Sequence, residues 1–445
     1  MSIATHYFPK NFKWGSATAA HQVEGDNTNN QWWQWEQQAG RIQNNDKSGP
    51  ACDWWRNAEA DFDRMADMGL NAHRLSVEWS RIEPSEGRFD NAALDRYRAM
   101  LLALRKRGIE PMVTLHHFTN PLWFEQRGGW TQRDASVRLF ARYVERVAKA
   151  LGELCDLWCT INEPNVYALL GWVQGAHPPG RTGDFDTAFE VLRNLLLAHA
   201  AAYRTLHEHA RNARVGLAHH MRRFEPLRAG NMLDGASASI YDSMFNQSVL
   251  KALLTGRWPL ALRRGSPPDA LPLRGTLDWI GLNYYTRERV VFDAGSRHSF
   301  FGKRLFTPGA QLSDFGHGEL YARGLMHFLG GLNAHRLPIY ITENGLPDAA
   351  DALRPGFVME HLKQLWIAIQ FCYDVRGYFH WTFVDNFEWS EGWRMKFGLY
   401  ALEPATQART LRTSGRLYAD VVKTATLSSA QAEKYAPEMM RVLFP

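Results

Sequence analysis

The sequence predicts an α/β protein: a single (β/α)8 TIM barrel with loop insertions at the C-terminal face of its strands. Three observations carry that expectation. Eight short β-rich runs recur along the 445 residues, several of them continuously apolar, as parallel strands covered on both faces require. Amphipathic stretches of helical period separate most of them. From one run to the next takes roughly 35–65 residues, a βαβ unit with room for inserted loops. Eight such units in one chain favour a closed barrel over an open doubly wound sheet.

Taken in order, the first run covers 12–18 and the second 72–78, with a helical segment expected at 57–68 between them. The third covers 110–116 after a helix at 91–107, and the fourth 157–162 after one at 134–151. The fifth, 214–219, follows the long segment 185–209. The sixth and seventh cover 279–284 and 338–342, and a helix at 356–373 leads into the eighth at 377–384. No Gly-x-Gly-x-x-Gly follows the first run, which counts against a dinucleotide-binding sheet. Strings such as His177-Pro178-Pro179-Gly180 and Ser266-Pro267-Pro268 fall where loops are expected. No linker or composition shift divides the chain. One domain is therefore expected over 1–445, with 426–445 a C-terminal tail packed on the barrel.

Composition excludes several classes of function. Hydrophobic residues make up 45% and charged residues 22%, an ordinary globular balance. The net charge of +5 is spread over 51 basic and 46 acidic residues with no basic run, so no nucleic-acid partner is expected. No run of about 18 apolar residues exists, so no membrane span is expected. Residues 1–6 lack a basic region and an apolar core of signal-peptide type. Four scattered cysteines form no zinc pattern and read as packing residues in a reducing compartment. A cytoplasmic location follows as the expectation. Seventeen tryptophans are unusual; they fit a Trp-rich core and stacking on sugar rings equally well.

In this architecture the chemistry sits at the C-terminal strand ends. The fourth run ends Thr160-Ile161-Asn162-Glu163-Pro164, and the seventh ends Thr342-Glu343-Asn344-Gly345. The third ends His116-His117, the sixth Asn283-Tyr284-Tyr285, and the eighth leads into Asp385-Asn386-Phe387-Glu388-Trp389. Gln22 stands just after the first run, and Arg74 lies in the second. Cleaving a glycosidic bond takes two carboxyl groups, one on each side of the anomeric carbon. Glu163 and Glu343 fit, three strands apart around the ring. This placement leaves retention and inversion both open, because the two outcomes differ only in carboxyl separation.

These strings resemble glycoside hydrolase family 1 over nearly the whole chain, from Phe8 to about Lys423. Residues 160–164 look like the family's acid/base motif and 341–345 like its nucleophile motif. Gly15-Ser16-Ala17-Thr18-Ala19-Ala20-His21-Gln22-Val23-Glu24-Gly25 resembles its N-terminal signature. The resemblance implies a retaining, exo-acting β-glycosidase, a β-glucosidase first, working by double displacement with no metal or organic cofactor. Glu343 would be the nucleophile and Glu163 the acid/base. Arg74 and Tyr285 would favour the ionised form of Glu343, and Asn283 would lie beside it. Glu163, away from that cation and near an anion, would hold its proton. Gln22, His117 and Trp389 match positions that bind the 3- and 4-hydroxyls, Asn162 the 2-hydroxyl, Trp381 the stacking floor, and Glu388 the 4- and 6-hydroxyls. Phe397 joins these substrate-binding positions.

Two departures bear on the substrate. Members acting on 6-phosphorylated sugars carry Ser, Lys and Tyr where this chain has Glu388, Met395 and Phe397. An anionic Glu388 would repel phosphate, so free β-glycosides or short oligosaccharides are the expected partners. The string Thr114-Leu115-His116-His117-Phe118-Thr119-Asn120-Pro121 departs from the commoner Tyr-His-Trp-Asp-Leu-Pro, so the loop around the kept His117 is expected to be shaped differently. Ala72-His73-Arg74-Leu75-Ser76-Val77-Glu78-Trp79 looks closer to the branch that includes archaeal β-glycosidases, which leaves galactose and fucose open beside glucose. Transglycosylation is an alternative, set by loops at 118–123, 171–181 and 284–306. A non-catalytic sugar-binding barrel would have lost a catalytic carboxylate, and both are present.

Overall fold

The computed structural model describes residues 4–258, 272–296, 299 and 301–445. Eight parallel strands form a closed barrel. They are β1 (Lys13–Ala17), β2 (Ala72–Ser76), β3 (Glu110–His116), β4 (Leu157–Asn162), β5 (Arg214–Pro226), β6 (Trp279–Phe292), β7 (Ile339–Asn344) and β8 (Val375–Trp381). Each of β1 to β5 pairs with the next, β6 pairs with β7, and β7 with β8. Closure comes from β8 against β1, with Gly377 opposite Lys13, and from β5 against β6, with Gly216 opposite Trp279. All eight C-terminal ends therefore meet at one rim, which collects side chains from distant parts of the sequence.

The strands are buried on both faces along most of their length, as the apolar runs require. Helices at Trp54–Asp67, Asn91–Lys106, Arg133–Leu151, Phe185–His209 and Arg354–Gln370 cover the outside. Each keeps its expected place to within a few residues. Twelve of the tryptophans are core residues, and of those only Trp381 and Trp389 also line the large rim pocket. The high tryptophan content is mostly packing.

Two strands run well past their expected ends. β5 continues from His219 to Pro226 and β6 from Tyr284 to Phe292, still paired, with Arg223 opposite Arg287 and Pro226 opposite Val290. Residues Gly302–Leu305 add an antiparallel strand to β6. This ribbon rises above the barrel. It carries charged side chains instead of an apolar run, and ion pairs such as Arg287 with Glu225 hold it; that pattern reads as loop in the sequence. The eighth strand instead stops early. Beyond Trp381 the chain turns inward and Val384 bridges to Tyr400.

The two ends of the chain meet. Thr426–Ser428 pairs antiparallel with Thr5–Tyr7, and a capping box of Ser428 with Gln431 starts the helix Ser429–Tyr435. Leu427, Ala432 and Leu443 are buried. Cys52, Cys155 and Cys159 are buried and unpaired, but Cys372 is exposed, against the expectation that all four pack inside. It sits in the turn after the helix Arg354–Gln370, with positive φ, where the chain bends out to start β8. No described helix is long and apolar enough to cross a membrane. The Ser266-Pro267-Pro268 string lies outside the described residues.

Candidate active site

The large pocket at the rim, about 780 Å³ with its mouth, is lined by nine of the expected residues: His117, Asn162, Glu163, Tyr285, Glu343, Trp381, Glu388, Trp389 and Phe397. Arg74, Asn283 and Gln22 stand behind that wall and hold it from below, each almost fully buried.

Glu163 follows β4 directly and has φ +46°, in the left-handed region. The next residue, Pro164, opens the helix Pro164–Trp172, a place where a missing N–H costs nothing. A residue before proline is kept out of the right-handed helical region. Left-handed backbone at a side chain with a Cβ costs roughly 1–2 kcal/mol. Here the Glu163 N–H donates to the Ala218 carbonyl on β5 at 2.8 Å, which ties the turn to the neighbouring strand.

Glu343 lies within β7 and is gripped from two sides. Arg74 on β2 donates through Nη1 to Oε1 at 2.6 Å, and Tyr285 on β6 donates its phenol to Oε2 at 2.6 Å. Arg74 is itself held in place: Nε donates to Thr114 at 3.0 Å and Nη2 to Asn162 Oδ1 at 2.6 Å. Asn283 Nδ2 reaches Glu163 Oε1 at 2.7 Å and Asn162 Oδ1 at 3.1 Å, while Thr342 donates to Asn283 Oδ1 at 2.6 Å. Asn162 Nδ2 meets His117 Nε2 at 3.1 Å. Side chains from five strands and the loop after β3 thus form one network in which each member fixes the orientation of the next.

His220, on β5, completes it. Its Nδ1 lies 3.2 Å from Glu163 Oε1, the oxygen that also accepts from Asn283. His220 escapes a sequence reading because its partner is 57 residues away on β4 and because the fifth apolar run fades at His219. The only signal was a His-His pair at a strand end.

That histidine bears on the electrostatics of the two carboxyls. Burial would raise Glu163, but the cationic form of His220, with hydrogen bonds from it and from Asn283 and the charge of Arg74, holds Glu163 below the usual carboxylate range. Burial pushes Glu343 up to about 7, against Arg74 and Tyr285 and with the charge of Glu163 adding to the rise.

The opposite side of the pocket suits a ring with hydroxyls. The His117 ring lies near-parallel to Trp381 and Trp389, with centroids 5.8 and 6.0 Å away. Gln22 Nε2 donates to the Phe387 carbonyl at 2.8 Å and to Glu388 at 3.2 Å, which leaves its Oε1 buried without a partner; His117 Nδ1 is likewise unpartnered. Glu388 is expected as an anion. Burial, with the charge of Glu343, instead pushes it up to about 8, so at neutral pH it can donate as well as accept. Gly345 explains itself by contact: a Cβ there would stand 1.8 Å from the Trp381 carbonyl oxygen. Phe118, His177, Arg222 and His317 line the pocket too and lie outside the expected set.

Known proteins agree with this geometry. The family model described as glycosyl hydrolase family 1 matches residues 4–427. Beta-glucosidase A of Thermotoga maritima is 32% identical, over 94% of this chain and 98% of its own. A beta-galactosidase of Pyrococcus woesei is 29% identical over 98% of this chain and all of its own. The solved structure of a beta-glycosidase from Pyrococcus horikoshii superposes with TM-score 0.89 at 34% identity, covering 97% of this chain and 98% of that one.

Proposed function

The chain belongs to glycosyl hydrolase family 1, and from that premise we propose that it is a retaining, exo-acting β-glycosidase that removes terminal β-D-glucosyl residues. The observation that carries the reading is Glu343 held by Arg74 and Tyr285 at 2.6 Å each, in the same pocket as Glu163. Glu343 attacks the anomeric carbon while the aglycone oxygen takes a proton from Glu163; water deprotonated by Glu163 then frees the sugar from Glu343. His220 and Asn283 hold Glu163 Oε1, at 3.2 and 2.7 Å, and so direct its other oxygen at the aglycone. Arg74 balances the charge of Glu343, and the Tyr285 phenol releases Oε2 as the C–O bond forms.

Trp381 is assigned as the stacking floor, Glu388 as the grip on the 4- and 6-hydroxyls, and Gln22, His117 and Trp389 as partners of the 3- and 4-hydroxyls. The unpartnered Gln22 Oε1 and His117 Nδ1 support this, since buried polar atoms without partners cost free energy until a ligand satisfies them. Unphosphorylated sugars are favoured because Met395 and Phe397 offer a phosphate no cation, whatever the charge on Glu388. β-Galactosidase activity is the second reading, supported by the name of the Pyrococcus woesei relative. A cytoplasmic place and a single-domain chain fit the four unpaired cysteines and the joined termini.

The roles are tested by azide rescue. Glu343→Gly loses hydrolysis of p-nitrophenyl β-glucoside by about 10⁴-fold or more, and azide restores turnover with the α-glucosyl azide as product. Glu163→Ala with azide yields the β-azide. Products of the opposite configuration would exchange the two roles.

A further inference from the structure

The ribbon of β5 and β6 carries a charge imbalance where it meets the pocket. Arg222 lines the pocket and donates through Nη1 to Glu288 at 2.6 Å. Arg304 donates to the same carboxylate at 3.2 Å, so one anion serves two guanidinium groups. Further up the ribbon, Glu225 is shared among Arg223, Arg287 and Arg289, with Glu319 a second partner of Arg287, so five arginines here meet three carboxylates in Glu225, Glu288 and Glu319. The excess positive charge is thus part of the ribbon's construction.

Arg222 is also held in place as a binding group is. Asn246, fully buried, receives the Arg222 N–H at 2.9 Å and donates to the Arg222 carbonyl at 2.8 Å, which clamps the backbone. The guanidinium lies over Phe245 and is largely shielded from solvent, with 18% of the side chain exposed. Its Nε is buried with no acceptor among the described residues. Arg222 stands two residues beyond His220, and both line the pocket, so the two backbone positions are about 7 Å apart. His220 touches the acid/base Glu163.

We propose that Arg222 is the specificity residue of the aglycone subsite, and that this subsite takes aglycones bearing a carboxylate. The inference rests on the glycosidase reading above and names the leaving group's chemistry. The carboxylate would bind the guanidinium that Glu288 only half-neutralises. Nearby carboxyls already have partners within the site, Glu343 in Arg74, Glu391 in Arg394 and Glu163 in His220 at 3.2 Å. An aryl carboxylate and a sugar acid share this chemistry, so both are tested.

The experiment measures kcat/KM for two matched pairs: 4-carboxyphenyl β-glucoside against its carboxamide, and cellobionate against cellobiitol. The charged-to-neutral ratio within one enzyme cancels losses common to both members. The wild type is expected to favour the charged member in at least one pair, which identifies the source. Arg222→Met should lower that ratio by about tenfold, and Arg222→Lys should keep part of it. Glu288→Gln should raise it, because both arginines then lack their carboxylate. Ratios that Arg222→Met and Glu288→Gln leave unchanged, or a wild type that favours the neutral member of both pairs, overturn the proposal. A wild type that cleaves no β-glucoside at all overturns the glycosidase reading, and this inference with it.

Discussion

At the scale of single residues, His220 changes the chemistry most. A carboxylic acid that receives hydrogen bonds from an imidazole and an amide on one oxygen is a stronger acid, and its proton is directed to the other oxygen. Glu163 has that arrangement through His220 and Asn283. The consequence is selective for leaving groups. His220→Phe should cut kcat/KM on alkyl β-glucosides, whose departure needs a proton, by about tenfold. Turnover of 2,4-dinitrophenyl β-glucoside, which departs unaided, should change by less than about twofold. Equal losses on both would mean that His220 only supports packing. Glu163 and Glu343 were legible as carboxyls at strand ends. The grip on Glu163 was not, because His220 comes from a different strand.

At the scale of elements, the region after β7 depends on one close approach. Gly345 lets the chain pass against the Trp381 carbonyl, where a Cβ would stand at 1.8 Å. Gly345→Ala must push the end of β8 away and carry Trp381 with it. Because stacking contributes to binding throughout the reaction, KM should rise by about tenfold or more, with the folded content by far-UV circular dichroism unchanged. An unchanged KM would argue against Trp381 as the floor. Strand positions were legible because apolar runs and turn residues are local signals. The extension of β5 and β6 was not, because its stabilisation comes from ion pairs across strands about 65 residues apart, such as Arg222 with Glu288.

Across the whole molecule, buried titratable groups set the pH range of stability. Burial holds His21, His73, His177 and His380 down to about 3, and His116, His199, His219, His317 and His361 down to about 4. Below about 6.5 the unfolded chain takes up protons on these rings that the folded chain refuses, so stability falls as pH drops. Burial pushes Glu24, Glu36, Glu125 and Glu343 up to about 7 and Glu388 to about 8. Their contribution is complete at acid pH and is lost as pH rises through those values. Nine histidines outweigh five carboxyls on the acid side, and the carboxyls alone act above. Tm should therefore be highest near about pH 6.5 and fall by several degrees by about pH 5 and about pH 8.5. A Tm that keeps rising up to pH 8.5 would contradict this balance.

The sequence by itself determined the barrel, the helices that cover it, and the two strand-end glutamates proposed as nucleophile and acid/base, with most of the residues proposed around the sugar. These follow from period, apolar runs and short motifs, all of which are local or ordered along the chain. Only the tertiary structure decided which groups meet: His220 with Glu163, Arg222 at the pocket wall, Glu388 pushed up to about 8 by burial and by the charge of Glu343, and the termini joined at 5–7 and 426–428. The reason is physical. Proton affinity and specificity depend on burial and on distances of a few ångströms between strands, and closing the barrel sets those distances.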